Sequence, residues 1–294
     1  MGIPDAALPV LLALGAACMF GVSAVIAKRG LQHVDAQVGA IISIATTTAL
    51  FALTAPWWMK AEYWFTAGFW VFFANGLIHP LLSMYLALEA TARTGPTVSA
   101  TFASTAPLFA ALTAMVFLGE SLNTAIALGT LATVAGVMTL SWSAGGVPMM
   151  LRAALLFATG AAVIRGLNHT IGKFGLELLP SAAMAAFVSF AVSLLGSALM
   201  YRIRNGPVAV RIPRPGLVCF LVTGSFIAVA ILCMYSALFT GSVVVVSPII
   251  AAYPLFTLLT ALAFRQEPLS MRAIAGVCLV VGGVALISLG AADR

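Results

Sequence analysis

The chain has 294 residues, 62% of them hydrophobic and only 7% charged, against roughly a quarter charged in soluble domains. So few charges cannot keep a surface wet, and so much apolar content excludes disorder. The net charge of +6 comes from Lys and Arg scattered over short connections. That is the pattern of membrane orientation signals, and no basic stripe for nucleic acid forms.

A polytopic membrane protein is the class left, and lipid allows its backbone only helices. The first apolar run, 6–27, follows Met1-Gly2-Ile3-Pro4-Asp5, which lacks the basic region of a signal peptide, so the run is expected to remain as a span. At about 20 residues per span, nine more follow: 36–56, 67–89, 96–118, 122–142, 151–172, 181–201, 215–239, 242–264 and 270–290. Trp57, Trp58, Trp64 and Trp142 stand at span ends, where interfacial aromatics belong. The one long polar connection, Arg202 to Pro215, carries four arginines and three prolines. Cys18, Cys219, Cys233 and Cys278 lie inside apolar runs without a CxxC or Cys/His pairing, so neither a metal site, a disulfide framework nor a cofactor is expected.

Polar groups in mid-span are costly and mark function. The third span carries Asn75, His79 and Ser83 at i, i+4 and i+8, one face of a helix. The fourth carries Thr97, Thr101 and Thr105 at the same spacing, with Ser104 beside them. The sixth carries Arg165, Asn168 and His169. These faces are the candidates for lining a wet central cavity, with Tyr85, Tyr235 and Tyr253 as aromatic walls. Helix–helix hydrogen bonding is the alternative for the Thr face, a satisfied buried pair for Asn75 and His79, and snorkelling for Arg165. The carboxylates all map to ends or loops. Glu89 has Arg93 four residues on, an ordinary helix-end pair, and Glu120 and Glu267 read as caps for the helix that follows each. Pro80, Pro107, Pro248 and Pro254 interrupt helices and free carbonyls, as hinges or kinks.

The chain also repeats itself. Residues 107–142 match 254–289 without a gap at 14 of 36 positions, pairing Pro107 with Pro254, Glu120 with Glu267, Gly129 with Gly276 and Gly136 with Gly283. Leu11 to Gln32 match Leu156 to Glu177 at 10 of 22 positions, including Lys28 with Lys173. Each copy holds five spans. An odd number sends the second copy into the membrane from the opposite face. The expected architecture is therefore two inverted five-helix repeats, 1–145 and 146–294, which suits alternating access to one central site. In this register Arg165, Asn168 and His169 stand where the first copy has Phe20, Ser23 and Ala24. An asymmetric ligand in a pseudo-symmetric cavity would require such a difference; drift between the copies is the alternative. Gly129/Gly136 and Gly276/Gly283 make the fifth and tenth spans close-packed struts. Gly39, Ser43 and Thr47 on the second span, and Ser189, Ser193 and Ser197 on the seventh, form small ridges suited to sliding.

Two five-span halves, each closing with a Pro-x(12)-Glu-x(8)-Gly segment, resemble the EamA branch of the drug/metabolite transporter superfamily over nearly the whole chain. In length and general look the chain is most similar to YddG-type exporters of aromatic amino acids. The resemblance implies a secondary transporter, not an enzyme, working on a small-molecule substrate in the lipid bilayer of a bacterial inner membrane; no nucleic-acid partner is expected, and because ten spans hold both repeats one chain suffices for the pathway, an oligomer being the alternative. No GxxxxGK[ST] loop occurs, so ATP is not the direct drive. Lys and Arg in alternate loops number ten against three, which puts both termini outside. The central charges are basic or titratable and suit an anion or zwitterion such as an amino acid. Sugar phosphates, nucleotide sugars and lipophilic drugs are alternative cargoes, and an intramembrane enzyme a remote one.

Overall fold

The computed structural model describes residues 7–83, 85–86, 105–141, 152–206, 212–263 and 271–292, with the backbone alone at 141 and 152–155. Every regular element among them is helical: α1 (Ala7–Gly30), α2 (Ala36–Trp58), a 3-10 helix (Ala61–Phe65), α3 (Ala67–Ile78), α4 (Ala106–Phe117), α5 (Thr124–Ser141), α6 (Arg152–Leu178), α7 (Ala182–Asn205), α8 (Arg214–Thr240), α9 (Val243–Ile250), α10 (Tyr253–Ala263) and α11 (Met271–Ala292). Six stretches are long and apolar enough to cross a membrane: α1, α2, α7, α8, α9 taken together with α10, and α11. Shorter apolar helices accompany them.

Several boundaries differ from the periodicity reading, and proline explains two of them. The third span does not continue as one helix, because α3 ends at Ile78 and His79 is extended, with φ −134° and ψ 127°. Pro80 causes this: its ring excludes the preceding residue from helical geometry. Asn75, His79 and Ser83 therefore do not form one continuous helical face. The ninth span is two helices, turning at Ala251 and Ala252, with Pro248 inside the first and Pro254 in the opening turn of the second. Pro107 holds the matching place in the opening turn of α4, where proline's missing N–H costs nothing. The sixth span runs on to Leu178, and the polar connection after the seventh shrinks because α7 extends to Asn205.

Small residues set the helix spacing. A Cβ on Gly129 would lie 2.6 Å from the Gly283 carbonyl oxygen, and one on Gly136 2.8 Å from that of Gly276, so α5 and α11 touch backbone to backbone. A Cβ on Gly21 would meet Tyr253 O and Thr257 N at 2.8 Å, while one on Gly166 would meet Ala106 O at 2.7 Å and Ala110 N at 2.9 Å. Hence α1 lies against α10 as α6 lies against α4. The ridges behave likewise. Ser43 Oγ donates to Phe220 O at 3.3 Å and Thr47 Oγ1 to Gly224 O at 2.9 Å, fixing α2 to α8. Ser189 Oγ donates to Phe72 O at 3.2 Å and Ser193 Oγ to Gly76 O, fixing α7 to α3. Ridges expected to slide are thus pinned by buried hydroxyl–carbonyl bonds, the usual polar glue of membrane helices.

Glu120 does not cap the helix that follows it. Asn123 does that, its Oδ1 accepting from Ile126 N at 2.8 Å, while its Nδ2 donates to Gly290 O at 2.8 Å. The Glu120 carboxylate instead reaches across the chain to α9. It accepts from Val243 N at 2.8 Å and Val244 N at 2.9 Å. A helix start carries unpaired N–H groups and a partial positive charge, and the local N-cap, Ser242, makes no side-chain capping bond. Glu267, Glu89, Arg93 and Trp142 lie outside the described residues.

Candidate functional site

A cavity of about 330 Å³ lies midway along the helices, within the size range of small-ligand sites. Its walls come from α1, α6, α7, α8, α9, the starts of α4 and α10, and the segment after α3. Of the residues singled out by sequence, His79, Ser83, Arg165, Asn168, His169 and Tyr253 line it, together with Pro80 and Pro107.

The others stand elsewhere. Asn75 and Tyr235 are packed behind the cavity, each about 1% exposed. Asn75 Nδ2 donates to Asn168 Oδ1 at 2.8 Å and to Tyr235 Oη at 3.3 Å, and the Tyr235 ring meets Phe72 edge-on at 5.6 Å. They support the site without facing it. Tyr85 belongs to a second cavity beside the ends of α2 and α7, where the Arg204 guanidinium sits 5.9 Å from its ring centroid. Thr105 is the N-cap of α4 and makes no side-chain cap bond. Pro248 is buried inside α9, and Pro254 is not among the lining residues. Thr97, Thr101 and Ser104 lie outside the described residues.

Two His–Ser pairs frame the polar wall. His79 Nδ1 and Ser83 Oγ are 2.7 Å apart, and His169 Nδ1 and Ser247 Oγ 2.8 Å apart. Bonding at Nδ1 orients each imidazole. Ser247 was missed by sequence reading. It sits in the valine-rich run of α9, a lone hydroxyl with no polar neighbour at helical spacing to mark it. Asn168 is 1% exposed. Its Oδ1 is taken by Asn75, and its Nδ2 has no hydrogen-bond partner. Arg165 is half-buried, and among the described residues no carboxylate lies within 4.0 Å of it. Asp35, Glu62, Glu120 and Glu177 all sit at helix ends or in connections.

A second wall is mainly apolar, with Ser23 and Tyr253 as polar exceptions. It includes Phe20, Ala24, Ile227, Ile231, Met234 and Ile250. In the sequence repeat several residues of the two walls correspond. Phe20, Ser23 and Ala24 match Arg165, Asn168 and His169, and both triplets face the same space. Phe72 O and Gly76 O accept from Ser189 and Ser193 as Phe220 O and Gly224 O accept from Ser43 and Thr47, and carried forward this match pairs His79 with Ile227 and Ser83 with Ile231. In four of these five pairs one member is polar or charged and the other hydrocarbon, the exception being Ser23 with Asn168. That arrangement can hold a small molecule with a polar end and an apolar body.

A sequence model of the family described as "EamA-like transporter family" matches residues 7–142 and 152–289. Among curated proteins none matches. One solved crystal structure of a protein is similar over 97% of this chain and 98% of its own, with a TM-score of 0.84 and 19% identity. At that identity the likeness is one of fold.

Proposed function

The chain belongs to the EamA-like transporter family, and on that premise we propose that it is a secondary transporter that exports small amphipathic metabolites, neutral and aromatic amino acids first among them. The observation that carries the reading is the divided cavity: Arg165, with Asn168 three residues on, on one wall, Phe20 and Ile231 on the other. A carboxylate seeks the first wall and an aromatic or aliphatic side chain the second.

The matched contacts of α1 with α10 and α6 with α4, and of α2 with α8 and α7 with α3, support two inverted five-helix repeats, 1–145 and 146–294, enclosing that cavity. Such a pair has two arrangements of similar energy, which is what alternating access needs. The loop charge count supports termini outside a bacterial cytoplasmic membrane. A single guanidinium disfavours sugar phosphates and nucleotide sugars, whose charges call for more than one cation.

Uptake of radiolabelled phenylalanine and leucine into vesicles holding the purified protein, with and without a pH gradient, tests the reading. Uptake above empty vesicles is expected, and Arg165→Ala reduces it about tenfold or more. No uptake of any amino acid refutes the amino-acid cargo, and unchanged transport by Arg165→Ala refutes the role of the guanidinium.

A further inference from the structure

We infer that the cavity beside the start of α2 and the end of α7 is a second cargo site, a loading site that takes neutral aromatic amino acids by both charged ends before they reach the central cavity. This rests on the transport reading and adds a site to it.

The cavity holds about 350 Å³, the size of a small-ligand site. Its walls carry an acid and a base, Asp35 and Arg204, and two phenols, Tyr85 and Tyr201. Helical spacing assembles them. Ser197, Tyr201 and Arg204 stand at i, i+4 and i+7 on one face of α7, as Gln37, Ile41 and Ile44 do on α2. Asp35 is the N-cap of α2, its Oδ1 accepting from Val38 N at 2.9 Å. A carboxylate keeps acceptor capacity after one such bond. The Arg204 guanidinium lies 5.9 Å from the Tyr85 ring centroid, within the range in which an aromatic face steadies a cation. Asp35 and Arg204 do not pair with each other within 4.0 Å, so neither charge is spent on the other.

These groups answer the three parts of a neutral aromatic amino acid. The ammonium is matched by the Asp35 carboxylate, and the carboxylate by Arg204, which offers paired donors. The ring is matched by the two phenols and by Leu81 and Met200. Position fits loading. The chain just beyond α3 serves both cavities, Pro80 and Ser83 lining the central one and Leu81 and Tyr85 this one. On α7, Phe190 lines the central cavity and Ser197 this one, about 10 Å further along the helix. The loop charges put this end of α7 on the cytoplasmic face, the side from which an exporter takes its cargo. Asp35 and Arg204 are exposed, so cargo meets them from water.

Photolabelling of the full-length protein in lipid nanodiscs with 4-azidophenylalanine, the labelled residues mapped by mass spectrometry, tests this. Labels are expected on residues 81–85 and 197–205, and excess phenylalanine removes them. 2-Phenylethylamine and 3-phenylpropionate, each lacking one charged end, should protect about fivefold less well. Arg204→Gln and Asp35→Asn should each reduce labelling there by about fivefold; asparagine caps a helix as well as aspartate does, so the second variant removes the charge and keeps the start of α2. A zwitterionic lipid headgroup carries the same two charges, so the labelling is run in phosphatidylethanolamine and in phosphatidylcholine. Equal labelling in the two lipids supports a cargo site, whereas labelling abolished by phosphatidylethanolamine makes the cavity a headgroup site and overturns the inference. No labelling of these residues in either lipid, or labelling that both variants leave unchanged, also overturns it. Vesicle uptake separates the two claims: phenylalanine uptake without labelling of this cavity leaves transport standing and removes only the loading site.

Discussion

The Glu120 carboxylate joins the connection after α4 to the start of α9, and cutting that joint has a calculable effect. Its two oxygens accept separate backbone N–H groups at 2.8 and 2.9 Å, and Ser242 supplies no substitute. Hydrogen bonds to a charged group contribute about 1.5–3 kcal/mol each when well sheltered. Glu120 is only half-buried, and solvent screening lowers the figure. Loss of a helix N-cap costs about 0.5–2 kcal/mol, so Glu120→Ala is expected to destabilise the protein by about 2 kcal/mol. The effect is transmitted because Val243, Val244 and Val246, which follow the cap, are fully buried. Glu120→Gln keeps one acceptor oxygen but turns an amide nitrogen toward the other N–H, and should lose about half as much. Glu120→Asp is too short to hold both groups and should fall near Gln. Detergent-titrated unfolding, followed by tryptophan fluorescence, gives the three differences. If all three variants unfold with the unaltered protein, within about 0.3 kcal/mol, the carboxylate is not a cap and the reasoning fails.

Backbone contact between α5 and α11 gives a paired test: Gly283→Ala meets Thr133 Oγ1 and Gly129 O and should cost about 1–3 kcal/mol, while Gly282→Ala, with nothing within 4 Å, should be neutral by the same unfolding measurement. Replacing Asn75 with Leu removes its 2.8 Å bond to Asn168 Oδ1 and should cost about 1–3 kcal/mol; Tyr235→Phe leaves that bond in place while removing the longer one at 3.3 Å, and should cost less. Equal losses in those two variants would mean that the Asn75–Asn168 bond is not the dominant member of the network. Thr47→Val, which deletes the hydroxyl bonded to Gly224 O, should lose about 0.6 kcal/mol and at most about 1.7. A larger loss there would show that the α2–α8 contact does more than interhelical hydrogen bonds usually do.

The membrane class, the helical content and the existence of a polar centre could be read directly from composition and spacing. Burial in lipid imposes a one-dimensional signal, runs of apolar residues about twenty long, and any polar group inside such a run must be explained. Arg165, Asn168 and His169 were conspicuous for that reason. Their mismatch with Phe20, Ser23 and Ala24 was visible as a property of the repeat, because identical neighbours at Gly and Lys fixed the alignment.

Which polar groups face the cavity was decided only in three dimensions. Asn75 and His79 have the spacing of one helical face, yet Pro80 ends α3 between Asn75 and Ser83 and turns His79 toward the cavity while Asn75 packs behind it. Ser247 acquires its meaning from His169, which is 78 residues away in sequence. Glu120 caps a helix 123 residues distant because packing brings the carboxylate to the bare start of α9. Periodicity records which side of a helix is apolar. It carries no record of which distant backbone groups lack partners, and it is those unmet hydrogen bonds, brought together by packing, that recruit the remaining side chains.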